Sequence, residues 1–292
     1  MKDFNRIIKS PLRYPGGKSR ALKRILPLVS EYDEFREPMV GGGSVFFILK
    51  QKFPNKKYWI NDKNRELYLF WKSCRDQPRK LVKNIRKLKK NYLERKLYRH
   101  LKNSTHKLSD LEKAARFFVL NRITFSGIVE SGGYSKEAHQ KRFTESSIKR
   151  IYKASKLLKG VIITNLDYEE LLQKEGKEVF IFLDPPYFSK TSSKLYGKKG
   201  ELHIKFDHEA FFKNVVICKH KCLITYDNCA KIRDLTKAKS LDNWQKKEWR
   251  LQYGTNNLKN KEKATIGEEL FIYNYTPIQK KLKVYSPILE HM

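Results

Sequence analysis

Val179-Phe180-Ile181-Phe182-Leu183 is an unbroken apolar run that stops at Asp184-Pro185-Pro186-Tyr187. A strand without polar alternation must be covered on both faces, as in a parallel sheet flanked by helices. The rest of such a sheet is legible on either side of it. Phe35 to Asn61 reads as a strand ending in Glu37-Pro38-Met39-Val40, a turn at Gly41-Gly42-Gly43-Ser44, a helix from about Val45, and a second strand at Tyr58-Trp59-Ile60. That order opens an α/β nucleotide-binding sheet. Further strands are expected at Val161-Ile162-Ile163-Thr164 and Cys222-Leu223-Ile224-Thr225-Tyr226, with an antiparallel closing pair over Trp249 to Tyr253 and Glu269 to Tyr275.

From Asn64 the pattern changes. Between Arg79 and Lys102 stand eleven Lys and Arg against one acidic residue, Glu94. Leu81, Ile85, Leu88 and Tyr92 recur at helical spacing, which predicts one amphipathic helix with a strongly basic face. A second helix is expected from Ser109, where Glu112 completes a capping box, and a third from Thr144 through Leu158, with Phe143 as a hydrophobic staple. Between them, Ile123 to Ser135 is rich in β-formers and glycine and predicts a hairpin with its tip at Ser131-Gly132-Gly133. The division expected is a sheet domain of residues 1–64 and 159–292, interrupted by a mostly helical insert of residues 65–158.

The formal net charge is +32. Self-repulsion of that size is relieved by a polyanion, and nucleic acid is the expected partner. The sequence has no stretch of the roughly 20 apolar residues that a membrane span requires. Met1 to Ser10 lacks the apolar core of a signal peptide, so a cytoplasmic location and no membrane partner are expected. Cys74, Cys218, Cys222 and Cys229 form no CxxC pair and have no histidine cluster beside them, so no metal site is expected.

Asp184 to Tyr187 follows an apolar strand directly, and ligands of open α/β sheets bind beyond such strand ends. The two prolines stiffen the backbone and lack N–H groups. A carboxylate beside carbonyl oxygens suits an exocyclic amine, with Asp184 accepting one hydrogen and the Pro185 carbonyl the other. Such a pair localises a delocalised nitrogen lone pair and meets the positive charge that develops on it. Tyr187 is placed to stack on an extruded base. The competing reading is a proline turn with Asp184 as a helix cap. The Glu37–Ser44 turn lets backbone approach a ligand at a helix N-terminus, or serves only tight packing. Asp62 stands where a carboxylate binds ribose hydroxyls, or caps the next helix. Arg13-Tyr14-Pro15-Gly16-Gly17-Lys18 offers backbone N–H groups and a cation to a carboxylate, or is a turn tied onto the sheet.

Together these motifs resemble the D12 class of N6-adenine DNA methyltransferases, the Dam-like enzymes, from about Leu12 to Tyr275. Leu12 to Lys18 looks like their PGGK motif, Glu37-Pro38 through Gly43-Ser44 like the methionine-side cofactor motif and Asn61-Asp62 like the ribose motif. Thr164-Asn165-Leu166-Asp167-Tyr168 looks like the segment beside the cofactor adenine, and Asp184 to Tyr187 like the catalytic DPPY. The resemblance implies a class I S-adenosylmethionine-dependent, Rossmann-like sheet of seven strands, with the insert as target-recognition domain. It implies S-adenosyl-L-methionine as cofactor, bound by Tyr14, Gly16, Gly17, Lys18, Met39, Gly41, Gly43, Ser44, Asp62, Asp167 and Asp184. Double-stranded DNA is the implied partner, met by Arg13, Arg122, Phe125, Ser126, Ile128 and Tyr134, with adenine N6 methylated after base flipping by Asp184, Pro185 and Tyr187. A cognate restriction enzyme is left open. Ile128-Val129-Glu130-Ser131 departs from the base-reading Arg or Asn of the GATC-specific enzymes. Two other readings stand beside this one: a methyltransferase acting on another planar amine (RNA adenine, cytosine N4 or a glutamine amide), and an inactive DNA-binding relative.

Overall fold

The computed structural model describes residues 7–14, 16–104, 108–188, 206–238, 241, 243–252 and 266–277. Pro15 of the N-terminal turn and Tyr253 of the expected closing pair lie outside them. Among the described residues seven strands form one sheet: β1 (Glu34–Glu37), β2 (Lys57–Asn61), β3 (Ile162–Thr164), β4 (Val179–Leu183), β5 (Lys221–Asp227), β6 (Gln245–Gln252) and β7 (Ile266–Tyr273). Their order is β3-β2-β1-β4-β5-β7-β6. The first five are mutually parallel, and β7 runs antiparallel to both its neighbours. The chain winds outward from β1 toward β3 and then from β4 toward β5, so the order reverses between β1 and β4. A crevice at that reversal, beyond the carboxyl ends of the strands, is where such sheets take ligands.

The apolar run at β4 explains itself in the packing. Phe180 and Phe182 join a buried cluster with Phe35, Phe46 and Tyr58, while Val179, Ile181 and Leu183 join another with Phe211, Phe212 and Tyr226. Both faces are therefore covered, and no position on the strand tolerates a polar residue.

The helices are α1 (Leu22–Ile25), α2 (Ser44–Lys52), α3 (Arg65–Asp76), α4 (Pro78–Asn91), α5 (Glu94–Asn103), α6 (Asp110–Ile123), α7 (Lys136–Arg142), α8 (Glu145–Leu158), α9 (Tyr168–Gln173), α10 (His208–Val216) and α11 (Ala230–Ala238). Helices α3 to α8 all lie between β2 and β3. Their packing continues the sheet's core, since Phe70, Trp71, Phe117, Phe118 and Ile151 belong to the same cluster as Phe35 and Phe180. The caps read from the sequence are in place: Ser109 and Glu112 form a reciprocal capping box on α6, and the Thr144 hydroxyl accepts the Ser147 N–H at the start of α8.

Three elements differ from expectation. The basic stretch 79–102 forms two helices, because the chain turns back after Asn91 to stack Tyr92 on His100 at 4.0 Å between centroids. An additional helix, α7, is started by Ser135, whose hydroxyl accepts the Ala138 N–H. The expected hairpin is reduced to a single bridge between Thr124 and Tyr134. Helix α6 absorbs its first arm, since both the N–H and the hydroxyl of Thr124 return to the Leu120 carbonyl. The rest coils tightly: a Cβ on Gly132 would sit 2.1 Å from the Ile128 carbonyl oxygen.

Candidate active site

Several strand ends meet at one rim of the sheet: Glu37 closes β1, Asn61 closes β2, Asp184 follows β4 and Asp227 closes β5. Because β7 is antiparallel and pairs Glu269 with Asp227, its Glu269 lies at the same rim.

The glycine turn is built by close approach. Gly41 and Gly43 hold φ of +48° and +66°, and a Cβ on Gly41 would lie 2.7 Å from the Tyr14 ring. Any other residue at Gly41 would therefore be strained in its backbone and would push Tyr14 off the turn. Asp62 fixes the turn from β2: one carboxylate oxygen accepts the Gly41 N–H and the other the Asn64 N–H, both at 2.9 Å. Helix α3 is capped by Asn64 itself, so Asp62 is not its cap. Burial raises the Asp62 carboxyl to about 6. Glu37 is buried and accepts the Phe46 N–H in the first turn of α2 at 3.1 Å. Its burial, followed by the nearby carboxylates of Asp184 and Asp62, pushes its carboxyl well above the usual range, against the opposing effects of that N–H and of Lys18. Asn61 braces three strand ends, donating to the Pro38 and Leu166 carbonyls and accepting from Leu166 N–H and the Thr164 hydroxyl.

The N-terminal loop closes over this turn. Gly17 N–H donates to the Tyr14 carbonyl at 3.0 Å, and a Cβ on Gly17 would come within 3.8 Å of the Ser44 hydroxyl. Tyr14, Gly17, Gly41, Ser44 and Asp62 are thus brought together. Gly16 is exposed and Met39 packs against the β4 side of the core. Asp167 lies at the outer edge, in an exposed pair with Lys63 at 2.8 Å. Lys18, read from the sequence as a cation for a cofactor carboxylate, pairs in this structure with Asp184. Its ammonium is 2.6 Å from an Asp184 carboxylate oxygen, and only 6% of the side chain is exposed.

Asp184 itself is 22% exposed, and the same oxygen accepts the Thr225 hydroxyl at 2.8 Å. Tyr187 is buried, at 6% exposure. Its hydroxyl donates to Glu269 at 2.8 Å, its ring is stacked with Tyr226 at 6.0 Å, and Lys18 lies over the ring at 4.8 Å from its centroid. A cavity of about 430 Å³ adjoins this loop, walled by Phe188, Phe206, His208 and Lys213 among others; Asp184 is not among its described walls.

On the helical side, Phe125 is 60% exposed and Ser126 takes a left-handed φ of 53° beside it. Ile128 and Tyr134 are half-buried in the same loop. The loop is held from behind by α5, where Tyr98 donates to the Gly132 carbonyl and Lys102 to the carbonyls of Val129 and Glu130. Lys102 therefore serves the loop and not the solvent face, and burial lowers its ammonium. Arg122, expected to face DNA, is buried at 3% exposure and donates to the Pro11 carbonyl, because it lies on the inner side of α6. Arg13 is half-buried, with its backbone paired to the Asn121 amide. Burial, and then Arg150, Arg13 and Arg142 around it, lower the Arg122 guanidinium to about 9.

A model of D12 class N6 adenine-specific DNA methyltransferases matches residues 14–251. The chain belongs to that family. It is 31% identical over 211 residues to a type II methyltransferase, M.MjaIII, of Methanocaldococcus jannaschii, covering 64% of this chain and 72% of that one. It is 27% identical over 237 residues to the type II methyltransferase M.CviBI of Paramecium bursaria Chlorella virus NC1A, covering 78% and 86%. A DNA N-6-adenine-methyltransferase of Escherichia phage P1 is 26% identical over 243 residues, 78% of this chain and 31% of the phage protein. The seven-stranded order is that of a class I methyltransferase sheet. No helix among the described residues is long and apolar enough to cross a membrane, and none of them form a metal-binding cluster.

Two residues at the methyltransferase's rim escaped the sequence reading, Thr225 on Asp184 and Glu269 on Tyr187. Thr225 carried a signal, a lone hydroxyl inside an apolar strand. Glu269 carried none, because its approach depends on β7 docking antiparallel against β5.

Proposed function

We propose that this methyltransferase moves the methyl group of S-adenosyl-L-methionine to N6 of adenine in duplex DNA, after the base has left the helix. The observation that carries the reading is the Asp184 carboxylate at the carboxyl end of β4, on the rim that also holds the glycine turn and Asp62. The residues fit the cofactor: Gly41 and Gly43 in left-handed conformations keep side chains off the turn, and Asp62 presents a carboxylate beside it. Tyr14, Gly16, Gly17, Met39, Gly41, Gly43, Ser44, Asp62 and Asp167 would hold it, and it supplies an electrophilic methyl on a sulfonium.

Asp184 and the Pro185 carbonyl accept the two N6 hydrogens, aligning the nitrogen lone pair and meeting the charge that grows on it. Thr225 holds the carboxylate in place. Tyr187 walls the base site, with its hydroxyl anchored on Glu269. Residues 65–158 act as target-recognition domain on the sheet domain of 1–64 and 159–292. Exposed Arg79, Lys83, Lys87, Arg95 and Arg99 of α4 and α5 meet phosphates, and Arg13, Phe125, Ser126, Ile128 and Tyr134 meet the site. Arg122 holds the Pro11 carbonyl of the segment that carries Arg13. The relatives' names favour a type II modification role with a cognate restriction enzyme, and a cytoplasmic location accords with a DNA substrate.

The test is transfer of labelled methyl groups from S-adenosyl-L-methionine to duplex DNA, RNA and protein side by side, with the modified sites mapped. Label in N6-methyladenine of duplex DNA supports the reading. Label confined to cytosine N4, RNA or protein overturns it, and no label with no cofactor binding would indicate an inactive relative.

A further inference from the structure

The acceptor proposed for the adenine amine is already engaged. Lys18 places its ammonium 2.6 Å from the Asp184 carboxylate oxygen, 3.0 Å from the Gly16 carbonyl and over the face of Tyr187 at 4.8 Å. A carboxylate, a backbone carbonyl and an aromatic ring are the three kinds of group that would receive an N6 amine acquiring positive charge. The ammonium is nearly sealed from water, so it is no loose surface contact. Its backbone is fixed as well, since the Gly17 N–H closes the preceding turn on the Tyr14 carbonyl and Lys18 opens a short 3-10 helix through Arg20.

We propose that Lys18 is a positioning residue whose ammonium occupies the seat of the substrate amine, holds Asp184 until a base arrives and must be exchanged for it. The inference rests on the adenine-N6 reading of Asp184. A base entering the site displaces a buried ion pair and leaves Asp184 only the Thr225 hydroxyl as donor, a loss that is penalised in a largely buried carboxylate. A base with an amine at the right place restores hydrogen bonds to Asp184 and offsets that loss. A base without one does not, and the closed ion pair wins. The cation also has to leave for chemical reasons, because a fixed ammonium beside N6 would oppose the positive charge of methyl transfer. Lys18 therefore acts before the reaction, as the competitor against which every extruded base is measured.

The experiment compares wild-type protein with Lys18→Met on two duplexes carrying the site mapped by the labelling assay, one with adenine and one with unsubstituted purine at the target. Binding is measured with S-adenosylhomocysteine present, and cofactor affinity is measured separately by calorimetry. Wild-type protein is expected to prefer the adenine duplex by roughly tenfold, because Asp184 keeps the Thr225 hydroxyl and part of its solvent contact when the base offers no amine. The weaker pairing of purine with thymine favours its extrusion and so works against this preference. Lys18→Met is expected to bind cofactor normally and to tighten on the adenine duplex, because no ion pair has to be broken to seat the amine, while its preference for adenine over purine is not diminished. Unchanged affinity of Lys18→Met for the adenine duplex, or no preference in wild type, overturns the proposal; the wild-type half needs no folded variant. Loss of cofactor binding in Lys18→Met overturns it in favour of a cofactor role for Lys18. Failure of the parent reading shows separately, as absence of methyl transfer to the adenine duplex by wild-type protein, and removes both.

Discussion

Arg116 is the charge on which the helical insert is most exposed to failure. It is 2% exposed on α6, grips both carboxylate oxygens of Glu66 on α3 at 2.8 and 2.6 Å, and donates through Nε to the Leu101 carbonyl of α5 at 2.7 Å. One side chain thus joins three helices. Replacing it with Met keeps the apolar stem but strands Glu66, whose side chain is 24% exposed. Orphaning one partner of a buried pair costs about 3–5 kcal/mol, and the partial exposure of Glu66 places the expected loss near 3 kcal/mol. With a urea dependence of about 3 kcal/mol per molar, the unfolding midpoint of Arg116→Met should fall by about 1 M. Removing the carboxylate as well, in Arg116→Met with Glu66→Leu, should recover much of the loss, because no charge is then left unpaired and only the Leu101 carbonyl lacks its donor. Glu66 adds a pH signature. Burial holds its carboxyl above the ordinary value even with Arg116 present, so it favours the protonated form in the fold. Stability from such a group is present at low pH and is lost as pH rises through its folded value, and removing Arg116 enlarges the effect. The Arg116→Met deficit should therefore shrink as pH falls toward 5. Equal destabilisation of single and double variants, independent of pH, would refute the reasoning and assign the loss to packing.

Other consequences are as direct. Gly41→Ala, forced to a φ of +48° with its Cβ against Tyr14, should weaken S-adenosyl-L-methionine binding at least about tenfold by calorimetry, the left-handed backbone alone costing roughly 1–2 kcal/mol. Because the Asp62 carboxyl sits at about 6 and must be ionised to accept ribose hydroxyls, cofactor affinity should fall as pH drops through 6, and Asp62→Asn should abolish that dependence. The same raised value means that ionised Asp62 costs stability, so this group should contribute a loss of roughly 2–3 kcal/mol in chemical denaturation as pH rises from 4 through 6. Duplex binding should weaken steeply with salt, and neutralising exposed Lys87 or Arg95 should each flatten the log–log slope by roughly one.

How far the sequence could be read follows from the range of the forces involved. Strand β4 was legible because both its faces are buried, and the caps at Ser109 and Thr144 because capping is local. The break between α4 and α5 was not legible, since the helical spacing of Leu81 to Tyr92 continues past the point where Tyr92 leaves to stack on His100. The hairpin expected at 123–135 failed for a similar reason: β-forming residues there are overridden by α6, which extends to Ile123 against the core. Arg122 shows the same limit at the site. As an arginine near a loop it reads as a DNA contact, and only the packing of α6 turns it inward onto Pro11. The rim positions of Asp184, Asp62 and the glycine turn were legible because they follow from strand ends. The engagement of Asp184 by Lys18 and Thr225 was not, because it joins segments 166 and 41 residues apart.

The central claim is that Asp184 receives the amine that is methylated. It is tested most directly by single-turnover methyl transfer to the mapped duplex by Asp184→Ala, with cofactor and duplex affinities measured on the same preparation. The account predicts a fall in the transfer rate of at least about a thousandfold, the scale of removing a principal electrostatic group, while both affinities stay within about tenfold. Transfer at near-native rate, or a loss traced wholly to cofactor binding, would contradict it.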